Sequence, residues 1–333
     1  MKIRLLILAV ILGMTFACWG VAQTSGSAAL PPPGFHHLHL NSTNPDAAID
    51  FYTKQFPSTS KATWGGLPAL KTGKVYVLFT KVNRPPLLQP QTAIWHFGWH
   101  VADVRENLAR YLKDKVTLLP LYTGEGDASV WVSSDTWPGA GGTLGRTRSQ
   151  IEEAKANGIK PAGGAGFAYL EAPDHAIIEY QGNMPAERFN HVHMFHDDPF
   201  CAQLWYQQHL NVRPGGRGPR HTEADCKVEH GELGWPSLVK AGMYRSPGAA
   251  VSFDDVSLPS YIRPSDTPLA STRGHLADHF ALSVPSLDPW IAKLKGEGVK
   301  FLIEKPYKLG NDGRAVMIEG PSHEAIELVE VKQ

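Results

Sequence analysis

Apolar and polar positions along this chain fall into one repeating unit, used four times. Phe35 to Phe56 reads "FHHLHLNSTNPDAAIDFYTKQF", and Phe189 to Leu210 reads "FNHVHMFHDDPFCAQLWYQQHL". Each opens on an alternating, strand-like run with His at every second position, then turns through polar residues to a Pro. Pro45 and Pro199 suit the first turn of a helix, with Asn44 and Asp198 before them as N-caps. Amphipathic helices follow, marked by Ile49, Tyr52 and Phe56 in one copy and by Leu204 and Tyr206 in the other. A second pair, "WHFGWHVADVRENLARYL" (Trp95 to Leu112) and "DHFALSVPSLDPWIAKLK" (Asp278 to Lys295), has the same strand, turn and helix. Later apolar runs such as "KVYVLF", "AAVSF" and "AVMIE" supply further strands. The pattern predicts strand, helix and about three strands, four times over.

The endings repeat too. "EAPDHAIIEY" (Glu171 to Tyr180) and "EGPSHEAIEL" (Glu319 to Leu328) are identical at five of ten positions, and both place a Glu inside a strand that otherwise reads as buried. Spacing locates insertions. From His37 to His96 is 59 residues but from His191 to His279 is 88; from His96 to Glu179 is 83 but from His279 to Glu327 is 48. The extra residues, about 120–165 and about 212–247, are rich in Gly and Pro and read as surface loops or lids, with a helix expected over Ser149 to Gly158. The two halves, 35–182 and 188–331, are each expected to form a domain of two units.

Ahead of the first unit, Lys2 and Arg4 precede an apolar run from Leu5 to Ala17. Thirteen residues fit a secretory signal peptide better than a membrane span, which needs about 18. Residues 1–22 are read as that signal peptide, with cleavage after Ala22, and 23–34 as a leader. The expected location is secreted or periplasmic, with no membrane contact beyond the signal peptide. After cleavage only Cys201 and Cys226 remain, so a Cys-based zinc site is excluded. A bond between them and two buried thiols are both open. The 32 basic residues balance the 32 acidic ones with no basic tract, so nucleic acid is not an expected partner.

These strand-turn-helix openings and Pro-to-Glu endings, four in order over residues 35 to 331, resemble the vicinal oxygen chelate superfamily: glyoxalases, fosfomycin-resistance enzymes, bleomycin-resistance proteins and extradiol dioxygenases. The resemblance implies an α+β fold in which βαβββ modules pair into open barrels, two here, each around a divalent metal. In that family the first ligand lies about 14 residues before an aromatic of the first helix; His37 lies 14 before Phe51, and His191 lies 14 before Trp205. His96 and His279 take the matching place in the second module of each half, and Glu179 and Glu327 match the closing carboxylate. The implied sets are therefore His37, His96 and Glu179 in the first half, and His191, His279 and Glu327 in the second. Two imidazoles and one carboxylate leave about three positions open on an Fe(II), Mn(II) or Zn(II) ion, Fe(II) being the first choice.

Strand alternation adds His39 and His193 to the same face as His37 and His191, and His175 and His323 share parity with the closing Glu residues, so all four are candidate acid-base groups. Tyr169, ten residues before Glu179, stands where ring-cleaving dioxygenases carry a Tyr, although the His that accompanies it there has no match within 50 residues upstream. His100 has Ser283 as its counterpart. Met194, Trp95, Trp99 and Trp205 read as core or pocket wall. The implied activity is that of a metal-dependent dioxygenase, or a lyase or isomerase, acting on a small molecule through two adjacent oxygens, as a monomer or weak homodimer. A metal-independent sequestering protein of the bleomycin-resistance kind is the alternative.

Overall fold

The computed structural model describes residues 30–121, 130–135, 148–161, 163–182, 184–215, 220–228, 248–265 and 267–331. The expected signal peptide and most of both insertions lie outside them. Pro31 to Gln333 belongs to one compact unit.

The first module runs β1 (Gly34–Ser42), α1 (Pro45–Gln55), β2 (Ser60–Trp64), β3 (Leu67–Thr72) and β4 (Val75–Lys81). The second is β5 (Ile94–His100), α2 (Val104–Lys113), β6 (Leu118–Leu119), α3 (Arg148–Ala156), β7 (Phe167–Ala172) and β8 (Ala176–Gln181). In the third, β9 (Arg188–His196) and α4 (Pro199–Leu210) precede β10 (Gly248–Phe253) and β11 (Val256–Ile262). The fourth is β12 (Ala277–Val284), α5 (Leu287–Gly296), β13 (Phe301–Leu309), β14 (Gly313–Glu319) and β15 (Ala325–Glu330). Helices start where the turn chemistry predicts. Asn44 caps α1 by accepting from the Ala47 amide at 3.2 Å. Asp198 precedes α4 but makes no such bond; its carboxylate accepts instead from the Val228 amide, 2.7 Å away. Cys201 on α4 is bonded to Cys226.

The strands assemble into an eight-stranded sheet, β13-β14-β15-β12-β1-β4-β3-β2, and a seven-stranded sheet, β10-β11-β9-β5-β8-β7-β6. This corrects the expected pairing. The halves 35–182 and 188–331 do not each close on themselves. The first module joins the fourth through β1 and β12, and the second joins the third through β5 and β9, both antiparallel. The arrangement is nested, the inner modules in one sheet and the outer ones in the other.

Aromatic packing shows what holds the two sheets together. Phe35 on β1 meets Phe189 on β9 with ring centroids 5.9 Å apart and Phe280 on β12 at 6.3 Å. Phe189 in turn contacts Phe97 and Trp99 of β5 at 6.2 and 5.2 Å. All five side chains are buried, so this layer is desolvated apolar surface contributed by both sheets. Simple alternation would put Phe35 on the same face as His37, and Phe189 with His191. A register shift between Phe35 and His37, and another beside Phe189 and His191, breaks the alternation. The aromatic turns into the core and the His turns to the opposite face of its sheet.

Candidate metal centres

The face of the eight-stranded sheet away from that core carries His37 and His39 on β1, His279 on β12 and Glu327 on β15. One ligand atom each from His37, His39 and His279 lies within 4.8 Å of the others. Glu327 Oε2 stands 3.5 Å from His37 Nε2 and 3.9 Å from His279 Nε2. His37 Nε2, His279 Nε2 and Glu327 Oε2 are all buried and none has a hydrogen-bond partner. The opposite nitrogen of each ring is held: His37 shares a bond of 2.8 Å with His36 Nδ1, and His279 Nδ1 donates to Asp278 at 2.7 Å. Asp278 also accepts from Arg273. Tyr307 donates its hydroxyl to the other oxygen of Glu327. His39 stacks on His279 with centroids 4.4 Å apart and bonds Thr80 Oγ1 at 2.7 Å. These groups line a cavity of about 250 Å³.

The seven-stranded sheet carries a similar cluster, in which His96 Nε2 is already bonded to His193 Nδ1 at 2.6 Å and to Glu179. His96 of β5, Glu179 of β8 and His191 and His193 of β9 gather their ligand atoms within 4.8 Å. Glu179 Oε2 is 3.1 Å from His96 Nε2 and 3.5 Å from His193 Nδ1, and Glu179 Oε1 is 3.8 Å from His191 Nε2. His191 Nε2 is buried without a hydrogen-bond partner, while its Nδ1 donates to Asn190 Oδ1 at 3.0 Å. Tyr169 donates to Glu179 Oε2 at 2.8 Å. The adjoining cavity, about 370 Å³, is lined by residues that include Trp95, His100, Tyr169 and Tyr261.

Burial, with three neighbouring imidazoles adding to it, holds His37 well below the ordinary imidazole range. Burial does the same to His191 and pushes the Glu327 carboxyl up. His37 and His191, each held uncharged by burial with Nε2 unpartnered beside a carboxylate, suit a divalent ion, which needs deprotonated ligands and neutralises a charge otherwise costly to bury. The spacing fits as well. Metal–ligand bonds of about 2.0–2.2 Å set neighbouring donor atoms roughly 3.0–3.5 Å apart. The held Nδ1 atoms of His37, His279 and His191 orient those three rings.

All six ligand candidates are thus brought together, but in another partition. His37 stands with His279 and Glu327, and His96 with His191 and Glu179. The expected grouping by halves is corrected for the same reason as the fold: the first strands of modules one and four are hydrogen-bonded neighbours. Tyr169, His39 and His193 lie against the clusters. His175 and His323 do not. Each sits at the turn before the last strand of its module with φ near +60° (63° and 66°), largely exposed and paired with Glu171 or Glu319. They occupy a position that favours glycine.

Sequence reasoning missed several contributors. His36 and Asn190 are the residues at the register shifts, and the shift is what lets each bond the ligand beside it. Tyr307 mirrors Tyr169 from a different strand. Tyr169 is directly opposite Glu179 on β7, whereas Met317 is opposite Glu327 on β14, and Tyr307 reaches in from β13.

Residues 188–328 match the model of the Glyoxalase/Bleomycin resistance protein/Dioxygenase superfamily. Among solved structures, glyoxalase I from Zea mays superposes with a TM-score of 0.57 at 14% identity, covering 89% of this chain and 92% of that one. A proposed dioxygenase from Bacillus subtilis gives 0.56 at 10% identity, covering 90% and 86%. At these identities the likeness is one of fold. No curated protein matches the chain.

Proposed function

We propose that the chain as a whole belongs to the glyoxalase, bleomycin resistance protein and dioxygenase superfamily, whose model matches residues 188–328, and that it is an exported enzyme with two divalent-metal centres. Each would take a small organic molecule through two adjacent oxygens. The observation that carries this reading is the convergence of buried His37 Nε2, His279 Nε2 and Glu327 Oε2, none with a hydrogen-bond partner, on one point; in the other sheet His96, His191 and Glu179 gather as closely, with His191 Nε2 unpartnered and His96 Nε2 bonded to Glu179. A protein that only sequesters an apolar compound has no use for two such sets.

The metal, Fe(II), Mn(II) or Zn(II), would supply Lewis acidity toward the bound oxygens. The protein's own part is to hold and to exclude. Tyr307 fixes Glu327 Oε1 and leaves Oε2 toward the imidazoles, whereas Tyr169 holds Glu179 by Oε2, the oxygen nearest His96 Nε2. Burial, together with Glu327 itself, keeps the Tyr307 hydroxyl protonated. Trp64 and Leu309 line one cavity and Trp95 and Phe167 the other, giving each candidate centre an apolar wall. Every ligand comes from one chain, so a monomer suffices. Export is supported by the N-terminal charge and apolar pattern and by the Cys201–Cys226 bond, which oxidising compartments permit.

The test is metal analysis of untagged mature protein, followed by turnover assays before and after chelation. The assays are oxygen uptake with catechols and isomerisation of adducts between thiols and 2-oxoaldehydes. Close to two ions per chain and a chelator-sensitive activity are expected. Protein that holds no stoichiometric metal after growth with all three ions would refute the reading.

A further inference from the structure

A third cavity, about 330 Å³, lies where the connector between β4 and β5 meets the start of β12. We propose that it is a separate binding site for an uncharged small aromatic alcohol. Its walls include Trp95, Phe195, Leu276, Leu87 and Leu88, and no Asp, Glu, Lys or Arg is among the described residues that line it. Trp95 and Phe195 stack with centroids 5.0 Å apart. At the mouth, Leu87 and Leu88 are 58% and 46% exposed, an apolar surface that a bound molecule would cover.

Gln89, Gln91, Thr92 and His175 also line this cavity, and His275 supplies the polar group that is buried without a partner. It lines the cavity, is only 8% exposed, and neither ring nitrogen has a hydrogen-bond partner. Its backbone is fully engaged: the amide donates to Thr272 O at 3.0 Å, and the carbonyl accepts from Asn41 Nδ2 at 2.8 Å. The ring is therefore fixed in place with its bonding capacity unspent, and an unpartnered buried polar group is a cost that a ligand can relieve. A hydroxyl both donates and accepts, so it satisfies whichever ring nitrogen faces the cavity. The volume lies at the lower end for small-molecule sites. Trp95 borders this cavity and that of the inner metal centre, and His96, a ligand candidate there, also lines it. Occupancy here is adjacent to that centre without using its open face.

The probes are 4-methylphenol and toluene, which share shape and differ in the hydroxyl. Binding is followed by ligand-observed NMR titration of the mature protein as purified, and again after chelation. Native protein should bind 4-methylphenol more tightly than toluene, with or without chelator. His275→Leu should weaken 4-methylphenol by about tenfold, the worth of one hydrogen bond, and leave toluene unchanged. Leu88→Asp, at an exposed position with little bearing on folding, should weaken both. The proposal fails if 4-methylphenol binds no better than toluene, if neither variant changes its affinity, or if chelation abolishes binding, which would assign it to the metal centres.

Discussion

The ring of His191 lies over Gly98, so close that a β-carbon on residue 98 would stand 2.3 Å from its Cε1 and 2.6 Å from its Nε2. The two residues are direct partners across β9 and β5. The glycine is a space requirement of the inner centre, since no other residue leaves room for the ring. Gly98→Ala should push His191 off its line to Glu179, weaken metal at the inner centre at least tenfold, and destabilise the fold by about 1–3 kcal/mol through overpacking. The outer centre should keep its ion, because Gly98 lies on β5 in the other sheet. Metal titrations of the variant would show one tight and one weakened site.

The nested partition gives a second prediction. His37→Ala and His279→Ala should each remove one ion, and the double variant should still remove only one. Combining His37→Ala with His96→Ala should remove both, since separate sites behave additively. Metal stoichiometry decides it. If His37→Ala and His96→Ala together cost a single ion, the modules would be paired by halves.

Glu327→Gln separates the metal-free and metal-bound proteins. Without metal, replacing a buried carboxyl whose Oε2 is unpaired should raise stability by about 1–3 kcal/mol, or a few degrees in Tm. With metal, losing a ligand should lower Tm, because binding to the native state contributes to its stability. Thermal melts with and without chelator should move in opposite directions. If neither moves, Glu327 is not a ligand.

Stability should also depend on pH through Glu324, away from the ligand clusters. Its carboxylate accepts from Tyr206 Oη and from the Ser322 amide, the latter at 2.8 Å, and burial pushes it up to about 7. The folded protein therefore binds this proton more tightly than the unfolded chain. The contribution is fully present below the ordinary carboxyl value of 4.5 and is lost as pH rises through about 7. Glu324→Gln has no such proton to lose. Between pH 4.5 and 7 its stability relative to the native protein should rise by up to about 3 kcal/mol, then level off. Denaturant unfolding at pH 5 and pH 8 measures this. An offset that is the same at both values would rule the assignment out.

The ligand candidates were legible because each module writes its His or Glu at a fixed place in a recurring phrase. Their partition was not, because four similar modules look alike whichever two are neighbours. The apolar layer of Phe35, Phe280, Phe97 and Phe189 that packs the two sheets together reads from sequence only as unspecific core. The groups that hold the ligands were hidden for a related reason. His36 and Asn190 reach their partners through a one-residue register shift, which period-two reasoning assumes away. Tyr169 could be found by its distance from Glu179; Tyr307 could not, since it comes from a strand whose pairing with β14 is itself irregular.

Nesting also sets an order on synthesis. The last strand of the inner sheet ends at Ile262, so that sheet and its centre can be complete while the C-terminal module is still being made. The outer sheet must wait. His39 finds its cross-strand partner in His279, 240 residues later, and Glu327 comes later still. Until then β1 has one open edge, next to an apolar face that includes Leu38 and Leu40, a surface prone to pairing with other chains. Closing so long a loop is slow, and a nascent chain of this design has reason to be kept apart from its neighbours until its final strand arrives.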